Sequence, residues 1–285
     1  MNLKTAIKMT RPYSLFATVV PLVVGGAIAY KVGNFNLTLW IITFIVALLL
    51  QMGTNVFNEY GDYIHGIDTP GIFIDSTLVN KEATPEEAFK LGVGIFVVAY
   101  LIAIPLILAR GILVLIMGVI ATAIAILYTF GPCPISRTPF GELVVGLTMG
   151  LFEIIVTEFV SCGKITIMSY LASIPVSLLV SAILFANNIR DIEIDRKARK
   201  TLAVVLGRKY AAWVYYMEYI ISYAWVFLFY EYTKSPYAFL PFLSLPFFIY
   251  MLMKINKEGW KFSVIYSSNE ELFYGIALLA AILLS

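Results

Sequence analysis

Cysteine and histidine are almost absent from this sequence, which contains two Cys and one His. Cys133 and Cys162 are too few for a disulfide framework, and neither stands in the spacing of a metal ligand. Both are expected to be small apolar filler. His65 is expected to be a solvated loop residue rather than a catalytic base. The sequence also lacks a glycine-rich phosphate loop, so nucleotide recognition of that type has no support.

Charged residues are scarce as well, at 13% of the chain, whereas 60% of the residues are hydrophobic. Mean hydropathy is +0.88, well above the value for a soluble domain of this size. Hydrophobic runs of ~17 to 25 residues recur, and each can cross ~30 Å of hydrocarbon as a helix. No basic patch with interleaved aromatics suggests a nucleic-acid partner. The sequence therefore predicts an all-α, multi-pass protein of the cell membrane, with one domain over residues 1–285.

The hydropathy pattern predicts nine transmembrane helices, with short connections on one side of the membrane and longer ones on the other. The longer connections and the N-terminal segment carry most of the 20 lysines and arginines. By the positive-inside rule, this side is cytoplasmic. The predicted helices cover residues 13–31, 39–57, 88–109, 112–130, 141–162, 167–187, 211–230, 236–254 and 269–284.

Two stretches rich in Asn and Asp, residues 55–68 and 187–196, follow the second and sixth predicted helices on the cytoplasmic side. All the aspartates of the chain lie in these stretches or just after the first. If each stretch is helical, its polar side chains recur at spacings that place them on one face. These side chains are Asn55, Asn58 and Asp62 in the first stretch, and Asn187, Asp191 and Asp195 in the second.

Carboxylates gathered in an apolar protein require a compensating cation, since an unpaired Asp at the bilayer centre costs ~2.5–3.5 kcal/mol. Mg²⁺ is the natural cation, because it takes carboxylate and water oxygens and bridges substrate phosphates. Arginine and lysine side chains nearby can hold the far side of a phosphate, namely Arg137, Arg190, Arg196 and Lys200. The pattern therefore predicts a Mg²⁺–diphosphate site. The alternative is that the aspartates are wet loop residues that pair with Arg190, Arg196 and their neighbours.

A membrane-embedded site of this kind suits a substrate that is half diphosphate and half hydrocarbon. Mg²⁺ would neutralise the leaving diphosphate, and ionisation of the C–O bond would leave an allylic carbocation beside an apolar cavity. Aromatic faces can stabilise such a cation while water is excluded. Tyr60, Tyr63 and Tyr128 are the best candidates because they lie on or beside the cytoplasmic polar face.

At these residues the sequence resembles the UbiA superfamily of intramembrane aromatic prenyltransferases, and in particular its 1,4-dihydroxy-2-naphthoate polyprenyltransferase and vitamin K2 synthase branch. Residues 58–68, Asn-Glu-Tyr-Gly-Asp-Tyr-Ile-His-Gly-Ile-Asp, resemble the first motif of that branch, and residues 187–196 resemble its second. The resemblance extends from residue 11 to about 210. It also includes Arg11-Pro12, residues 75–79, Leu127-Tyr128-Thr129 and Phe140-Gly141-Glu142.

The resemblance implies a nine-helix bundle with its polar site under a cytoplasmic cap. It implies Mg²⁺-dependent transfer of a polyprenyl group from polyprenyl diphosphate to an aromatic acceptor, 1,4-dihydroxy-2-naphthoate, in menaquinone biosynthesis. The expected metal ligands are Asn58, Asp62, Asp68, Asp191 and Asp195. The expected catalytic residues are Asp62, Asp191, Tyr128 and Arg190, and the expected substrate-binding residues are Asn55, Asn58, Asn188, Arg137, Arg11 and Lys200.

Some positions depart from the branch. Ser76 stands where relatives usually have Arg, and the segment 195–201, which carries Arg199 and Lys200, is shorter than usual. Glu153 and Glu158 stand where the branch has apolar or aromatic residues. Each is either a functional carboxyl, as intramembrane acids often are, or a protonated group hydrogen-bonded within the bundle.

Three other functions stay open from the sequence. The acceptor could be 4-hydroxybenzoate, homogentisate or geranylgeranylglyceryl phosphate. The Asp and Asn side chains could instead form the cation site of an ion-coupled transporter, although such sites favour mid-membrane positions and broken helices. A lipid-binding scaffold would leave the paired motifs unexplained.

Overall fold

The structure, a computed structural model, describes residues 1–67 and 76–285. Helices account for most of this part of the chain, and no strand occurs within it. The all-helical prediction is therefore confirmed for the described residues. The helices are α1 (Leu3–Met9), α2 (Phe16–Val32), α3 (Leu37–Ile64), α4 (Pro85–Arg110), α5 (Ile112–Thr129), α6 (Gly141–Val145), α7 (Glu153–Cys162), α8 (Ile167–Arg190), α9 (Ile192–Asp195), α10 (Leu202–Thr233), α11 (Leu245–Glu258) and α12 (Ser263–Leu284).

Two irregular helical segments extend these elements. A π-helical stretch, Gly146–Phe152, joins α6 to α7 and so makes one continuous helical segment over Gly141–Cys162. A 3₁₀ stretch, Pro236–Ser244, leads into α11. Each of the nine predicted membrane segments therefore overlaps helical structure.

Six helical stretches of the described chain are long and apolar enough to cross a membrane: Leu37–Ile64, Pro85–Arg110, Ile112–Thr129, Gly141–Cys162, Ile167–Arg190 and Pro236–Leu284. The last, at 49 residues, contains two of the predicted segments. Helix α2 is apolar but has only 17 residues, and α10 is rich in tyrosine, which lowers its hydropathy. The length and apolar composition of these helices thus indicate a membrane protein. The count of nine crossings stays a prediction.

The chain divides into two compact units. The first unit comprises Met1–Leu15 and Ile41–Arg137, and the second comprises Phe16–Trp40 and Thr138–Ser285. In the first unit, α1 is tied down by ion pairs from the N-terminal amine to Glu87 and from Lys8 to Glu82. The prediction of one domain over residues 1–285 is not tested by this division.

Small residues bring the helices of the second unit into close contact. A Cβ added at Gly25 of α2 would lie 2.8 Å from the backbone oxygen of Ile154 in α7. A Cβ at Gly150 would lie 2.4 Å from the Cα atom of Ser177 in α8. Close backbone approach at small residues is a common way for membrane helices to gain packing energy, because lipid offers no hydrophobic drive between them.

Candidate functional site

The first polar stretch lies at the C-terminal end of α3, as predicted. Asn58 and Asp62 are both partly exposed on its last two turns. The helix ends in a Schellman motif, in which the N–H of Ile67 bonds to the carbonyl of Asp62 at 2.9 Å and that of Gly66 to Tyr63 at 3.0 Å. Gly66 adopts φ +68°, a conformation that favours glycine. The cap thus ends the helix just before Asp68. Asp68 and Asp75 lie outside the described residues.

Asn58 is held in place by the end of α5, where the Thr129 hydroxyl donates a hydrogen bond to its side-chain oxygen. This contact depends on Gly61, because a Cβ there would lie 2.2 Å from the Thr129 side chain. Tyr128, the proposed aromatic residue, is the neighbour of Thr129 in the last turn of α5 and is partly buried. The ring of Tyr60 packs at 5.8 Å from the ring of Phe130, which follows Thr129.

Gly61→Ala is therefore expected to lower turnover by about tenfold or more, since relieving the overlap would displace Thr129 and with it Asn58. Gly94→Ala is the matched control, because a Cβ at Gly94 of α4 meets nothing within 4 Å. Turnover and thermal unfolding of both purified variants would be measured. Equal activity in the two variants would show that the Thr129–Asn58 contact does not position the site.

Asn55 is buried, and its side-chain nitrogen donates to the Thr10 carbonyl and to the Ser14 hydroxyl, both at 2.9 Å. These bonds hold the turn that carries Arg11, whose φ is +48°. The sequence predicted Asn55 as a substrate-binding residue. In the structure its side-chain nitrogen bonds to the N-terminal segment, and the substrate contacts of Asn55 and Arg11 both stay predictions.

Glu59 is a residue that the sequence reasoning passed over. Its carboxylate is buried, and Oε1 accepts hydrogen bonds from the Thr77 hydroxyl at 2.7 Å and from the Leu78 amide at 3.2 Å. The Ser76 hydroxyl also donates to it, at 3.3 Å. Ser76, which stands where relatives have Arg, thus helps to fasten the chain as it re-enters the described part after Asp75.

The second polar stretch lies at the end of α8, and here Arg190 and Asp191 pair with each other. The Arg190 guanidinium donates from Nε to Oδ1 of Asp191 at 2.8 Å and from Nη2 to Oδ2 at 2.6 Å. It also donates to the side-chain oxygen of Asn187 at 2.8 Å. This bidentate pair matches the alternative in which the aspartates are neutralised by neighbouring arginines. It also places a cation and a carboxylate at the same point of the second motif.

Asp195 lies one turn further on and is buried, with Arg199 Nε at 3.8 Å from its Oδ1. Asn188 is buried too, and its side-chain nitrogen donates to Oε1 of Glu142 at 2.8 Å. Lys200 is exposed. The second unit therefore brings Asn188, Asp191 and Asp195 to one end of α8 and α9.

Arg137 ends a short 3₁₀ turn, Ile135–Arg137, in the first unit. Its Nε and Nη2 atoms are buried and have no hydrogen-bond partner within the described residues. A guanidinium in this state is complementary to an anion with several oxygens, and carboxylates or phosphates bind it through two parallel hydrogen bonds.

The donor set of the two motifs consists of Asp carboxylates and Asn amide oxygens, the hard oxygen ligands that Mg²⁺ prefers. Among residues 1–67 and 76–285, no three Asp, Glu, His or Cys side chains are grouped closely enough to hold a metal ion. Mg²⁺ sites commonly use one or two carboxylates and complete the shell with water and substrate phosphates. The residues present fit such a site.

Glu158 and His65 both make polar contacts with nearby groups of the protein. Glu158 is fully buried and accepts hydrogen bonds from the backbone and hydroxyl of Thr166, at 3.0 and 2.7 Å, so it caps the start of α8. This agrees with the reading of a carboxyl hydrogen-bonded within the bundle. His65 is exposed, and its Nδ1 lies 2.6 Å from the carbonyl of Gly61.

Residues 18–263 match the UbiA prenyltransferase family over most of the chain. The chain belongs to the UbiA prenyltransferase family. It is therefore a prenyltransferase. The 1,4-dihydroxy-2-naphthoate octaprenyltransferase of Bacillus subtilis is 36% identical over 242 residues, which cover 84% of this chain and 78% of that protein. The Drosophila melanogaster homolog of UbiA prenyltransferase domain-containing protein 1 is 31% identical over 86% of this chain and 70% of its own length.

Solved structures of UbiA homologs share the fold. A homolog from Aeropyrum pernix superposes with a TM-score of 0.72 at 18% identity, covering 93% of this chain and 96% of that one. A homolog from Archaeoglobus fulgidus bound to DMAPP and Mg²⁺ gives a TM-score of 0.67 at 15% identity, covering 96% and 99%. At these identities the likeness concerns the UbiA fold alone.

Proposed function

We propose that this UbiA-family enzyme transfers a polyprenyl group from its diphosphate to 1,4-dihydroxy-2-naphthoate, with Mg²⁺ as cofactor. The observation that carries this proposal is the 36% identity, over 84% of the chain, to a relative named as an octaprenyltransferase for that acceptor. Mg²⁺ is supported by UbiA homologs whose structures are described as bound to DMAPP or GPP with Mg²⁺.

In this proposal Asn58, Asp62, Asp68, Asp191 and Asp195 hold Mg²⁺ and, through it, the diphosphate. The metal would neutralise the charge that develops on the diphosphate as the C–O bond breaks. Arg137 and Arg190 contact the diphosphate oxygens directly, and Arg11, Lys200 and Asn188 complete the substrate contacts. Tyr128 shields the allylic cation. A ring carbon of the acceptor forms the new C–C bond with the prenyl cation, the acceptor carboxylate leaves as CO₂, and diphosphate is released.

The membrane placement is part of the same proposal. The protein crosses the cell membrane nine times, and its N-terminus and both Asp-rich motifs face the cytoplasm, where polyprenyl diphosphates meet Mg²⁺. The excess of Lys and Arg on that side supports this orientation.

An apolar groove in the first unit offers space for a long prenyl chain, which supports a polyprenyl diphosphate as the donor. It has a volume of about 710 Å³ and is lined by apolar side chains of α3, α4 and α5 together with Tyr100, whose hydroxyl is paired with Thr122 at 2.8 Å. Phe57 and Phe130 line its end beside Asn58 and Thr129. From Phe89 to Ile107 it follows α4 for roughly 27 Å at 1.5 Å per residue. The groove thus begins next to the first motif and extends away along the helix.

The proposal is tested by incubating purified protein with Mg²⁺, prenyl diphosphates and a panel of acceptors. The panel contains 1,4-dihydroxy-2-naphthoate, 4-hydroxybenzoate, homogentisate and geranylgeranylglyceryl phosphate, and products are identified by mass spectrometry. The expected product is a prenylated naphthalenediol without the carboxylate. Product from another acceptor and none from 1,4-dihydroxy-2-naphthoate would overturn the assignment.

Val97→Trp is expected to raise the KM for octaprenyl diphosphate by about fivefold or more while leaving geranyl diphosphate within about twofold, because the indole fills the groove only where a long chain would lie. Val98→Trp is the matched control. Val97 lines the groove and Val98 does not, and both are about half exposed on the same helix, at 52% and 46%. Equal effects of the two substitutions, or equal effects on the two donors, would show that the groove does not bind the prenyl chain of the donor.

A further inference from the structure

A buried carboxyl on a neighbouring helix holds one amide of the second motif. Glu142, in the first turn of α6, is 2% exposed, and Asn188, near the end of α8, is 5% exposed. The side-chain nitrogen of Asn188 donates a hydrogen bond to Oε1 of Glu142 at 2.8 Å. Glu142 is included neither in the proposed metal ligands nor in the proposed diphosphate contacts, so its role is open.

Close packing fixes the start of this helical segment against α8. Gly146 comes four residues after Glu142, and a Cβ there would lie 2.7 Å from the backbone oxygen of Ser177 and 3.3 Å from the Cβ atom of Ser181. The two backbones therefore approach each other without room for a side chain. The position of Glu142 relative to α8 is thus set by backbone contact one turn away.

The second carboxyl oxygen of Glu142, Oε2, is buried and has no hydrogen-bond partner among the residues that the structure describes. A buried polar atom in this state lowers stability, because it has lost the donors that water would supply. Such groups are rare in native proteins, and each one calls for an explanation. Helix packing gives no reason for a carboxyl here, since an apolar side chain would fill the position without this cost. The contact with Asn188 does give a reason.

The bond to Glu142 determines how the Asn188 amide lies. A primary amide offers two N–H donors and one acceptor oxygen, and a carboxyl group keeps an acceptor oxygen in either protonation state. The NH₂ group therefore faces Glu142, and the bond uses one of its two donors. The second N–H stays available for another partner. Asn188 is three residues before Asp191, a spacing that makes them neighbours on a helix surface.

Resting on the proposed function, we propose that Glu142 is a positioning residue that orients Asn188 for its contact with the prenyl diphosphate. Glu142 itself touches neither the diphosphate nor the metal. Hydrogen-bonded partners of this kind are worth about 10- to 100-fold at metal sites, because they hold the contacting group in its productive orientation. Without Glu142 the amide would rotate about its side-chain bonds, and the second N–H would no longer be held towards the diphosphate.

The test compares Glu142→Leu, which removes the acceptor, with Glu142→Gln, which keeps a carbonyl oxygen for Asn188. The Kd of geranyl diphosphate with Mg²⁺ is measured by ligand-dependent thermal unfolding, so that no aromatic acceptor is needed. It is expected to rise about tenfold or more in Glu142→Leu and to stay within about threefold of the wild-type value in Glu142→Gln. The KM for the aromatic acceptor that the wild type uses is expected to stay within about twofold in both variants.

Glu218→Leu is the matched control. Glu218, on α10, also accepts a hydrogen bond from α8, in this case from the Ser181 hydroxyl at 2.6 Å, and its Oε2 is likewise buried without a partner in the described chain. Ser181 lies seven residues before Asn188 and outside the second motif. Loss of this contact is therefore expected to change the Kd of geranyl diphosphate by less than about twofold.

A double variant separates positioning from a general packing effect. If Glu142 acts through Asn188, adding Glu142→Leu to Asn188→Ala should weaken binding by less than about a further twofold. The proposal is overturned by unchanged binding in Glu142→Leu, by equal losses in Glu142→Leu and Glu142→Gln, by an equal loss in Glu218→Leu, or by additive losses in the double variant. If Glu142→Leu does not fold, Glu142→Ser, whose side chain is too short to reach Asn188, replaces it. Failure of the wild type to prenylate 1,4-dihydroxy-2-naphthoate would instead count against the proposed function and leave the binding comparison intact.

Discussion

Replacing Asp62 by Ala is expected to reduce prenyl transfer at least about a thousandfold, because the variant loses a carboxylate that, in the proposed site, holds the metal and, through it, the leaving diphosphate. The fold should persist, since the helix cap at this position uses the backbone carbonyl of Asp62 and not its side chain. Turnover with octaprenyl diphosphate is measured across a Mg²⁺ titration, together with the thermal unfolding temperature. A folded Asp62→Ala protein with normal rates in excess EDTA would rule out the metal role.

Asp191→Ala is expected to have a similar effect, and the two changes together should lose little more than the worse single change. Residues that act on one bound group as a unit show this lack of additivity, whereas independent sites add. Glu193→Ala is the control, because this carboxylate lies two residues from Asp191 but is exposed and pairs with Arg196 at 3.3 Å. Fully additive losses would mean that the two motifs do not serve the same diphosphate.

Arg137→Ala is expected to raise the KM for the prenyl diphosphate by about a hundredfold while leaving the ligand-free protein at least as stable as the wild type. Both effects have one cause: two guanidinium nitrogens are buried without a partner in the described chain, and an anion would satisfy them. A buried charge of this kind destabilises the free protein and strengthens binding of its ligand.

Arg137→Lys should recover part of the affinity, since an ammonium keeps the charge but cannot bind two oxygens in parallel. Arg208→Ala is the matched control, because Arg208 is about half exposed and already paired with Glu193. A lower unfolding temperature in Arg137→Ala with an unchanged donor KM would show that Arg137 is structural.

The sequence predicted the helices well because membrane helices are recognised from local hydropathy. The alternative interpretation of the aspartates also anticipated the pairing of Asp191 with Arg190, since these residues are neighbours. Helix α10 shows the limit of the hydropathy signal. Its tyrosines pack inside the second unit, where Tyr215 and Tyr219 are fully buried, yet they lower the hydropathy that identifies a membrane span.

The contacts that shape the site could not be predicted, because they join residues far apart in the sequence. Glu59 bonds to residues 17 to 19 positions later, and Asn188 bonds to Glu142, 46 positions earlier. Asn55 bonds to Thr10, 45 positions earlier. Periodicity places each side chain on a helix face, but the depth and rotation of the neighbouring helix decide its partner. The hydrogen bonds from Asn55 to the N-terminal segment could therefore not be read from the sequence.

The bidentate contact between Arg190 and Asp191 implies that the second motif carries its own counterion. The protein can therefore fold in the membrane before it binds Mg²⁺, because the Asp191 carboxylate is already neutralised by Arg190. Removal of Mg²⁺ should then abolish prenyl transfer reversibly without unfolding the protein. In the proposed site, Mg²⁺ would compete with Arg190 for the Asp191 carboxylate, and the guanidinium would then be able to contact the diphosphate of the prenyl donor.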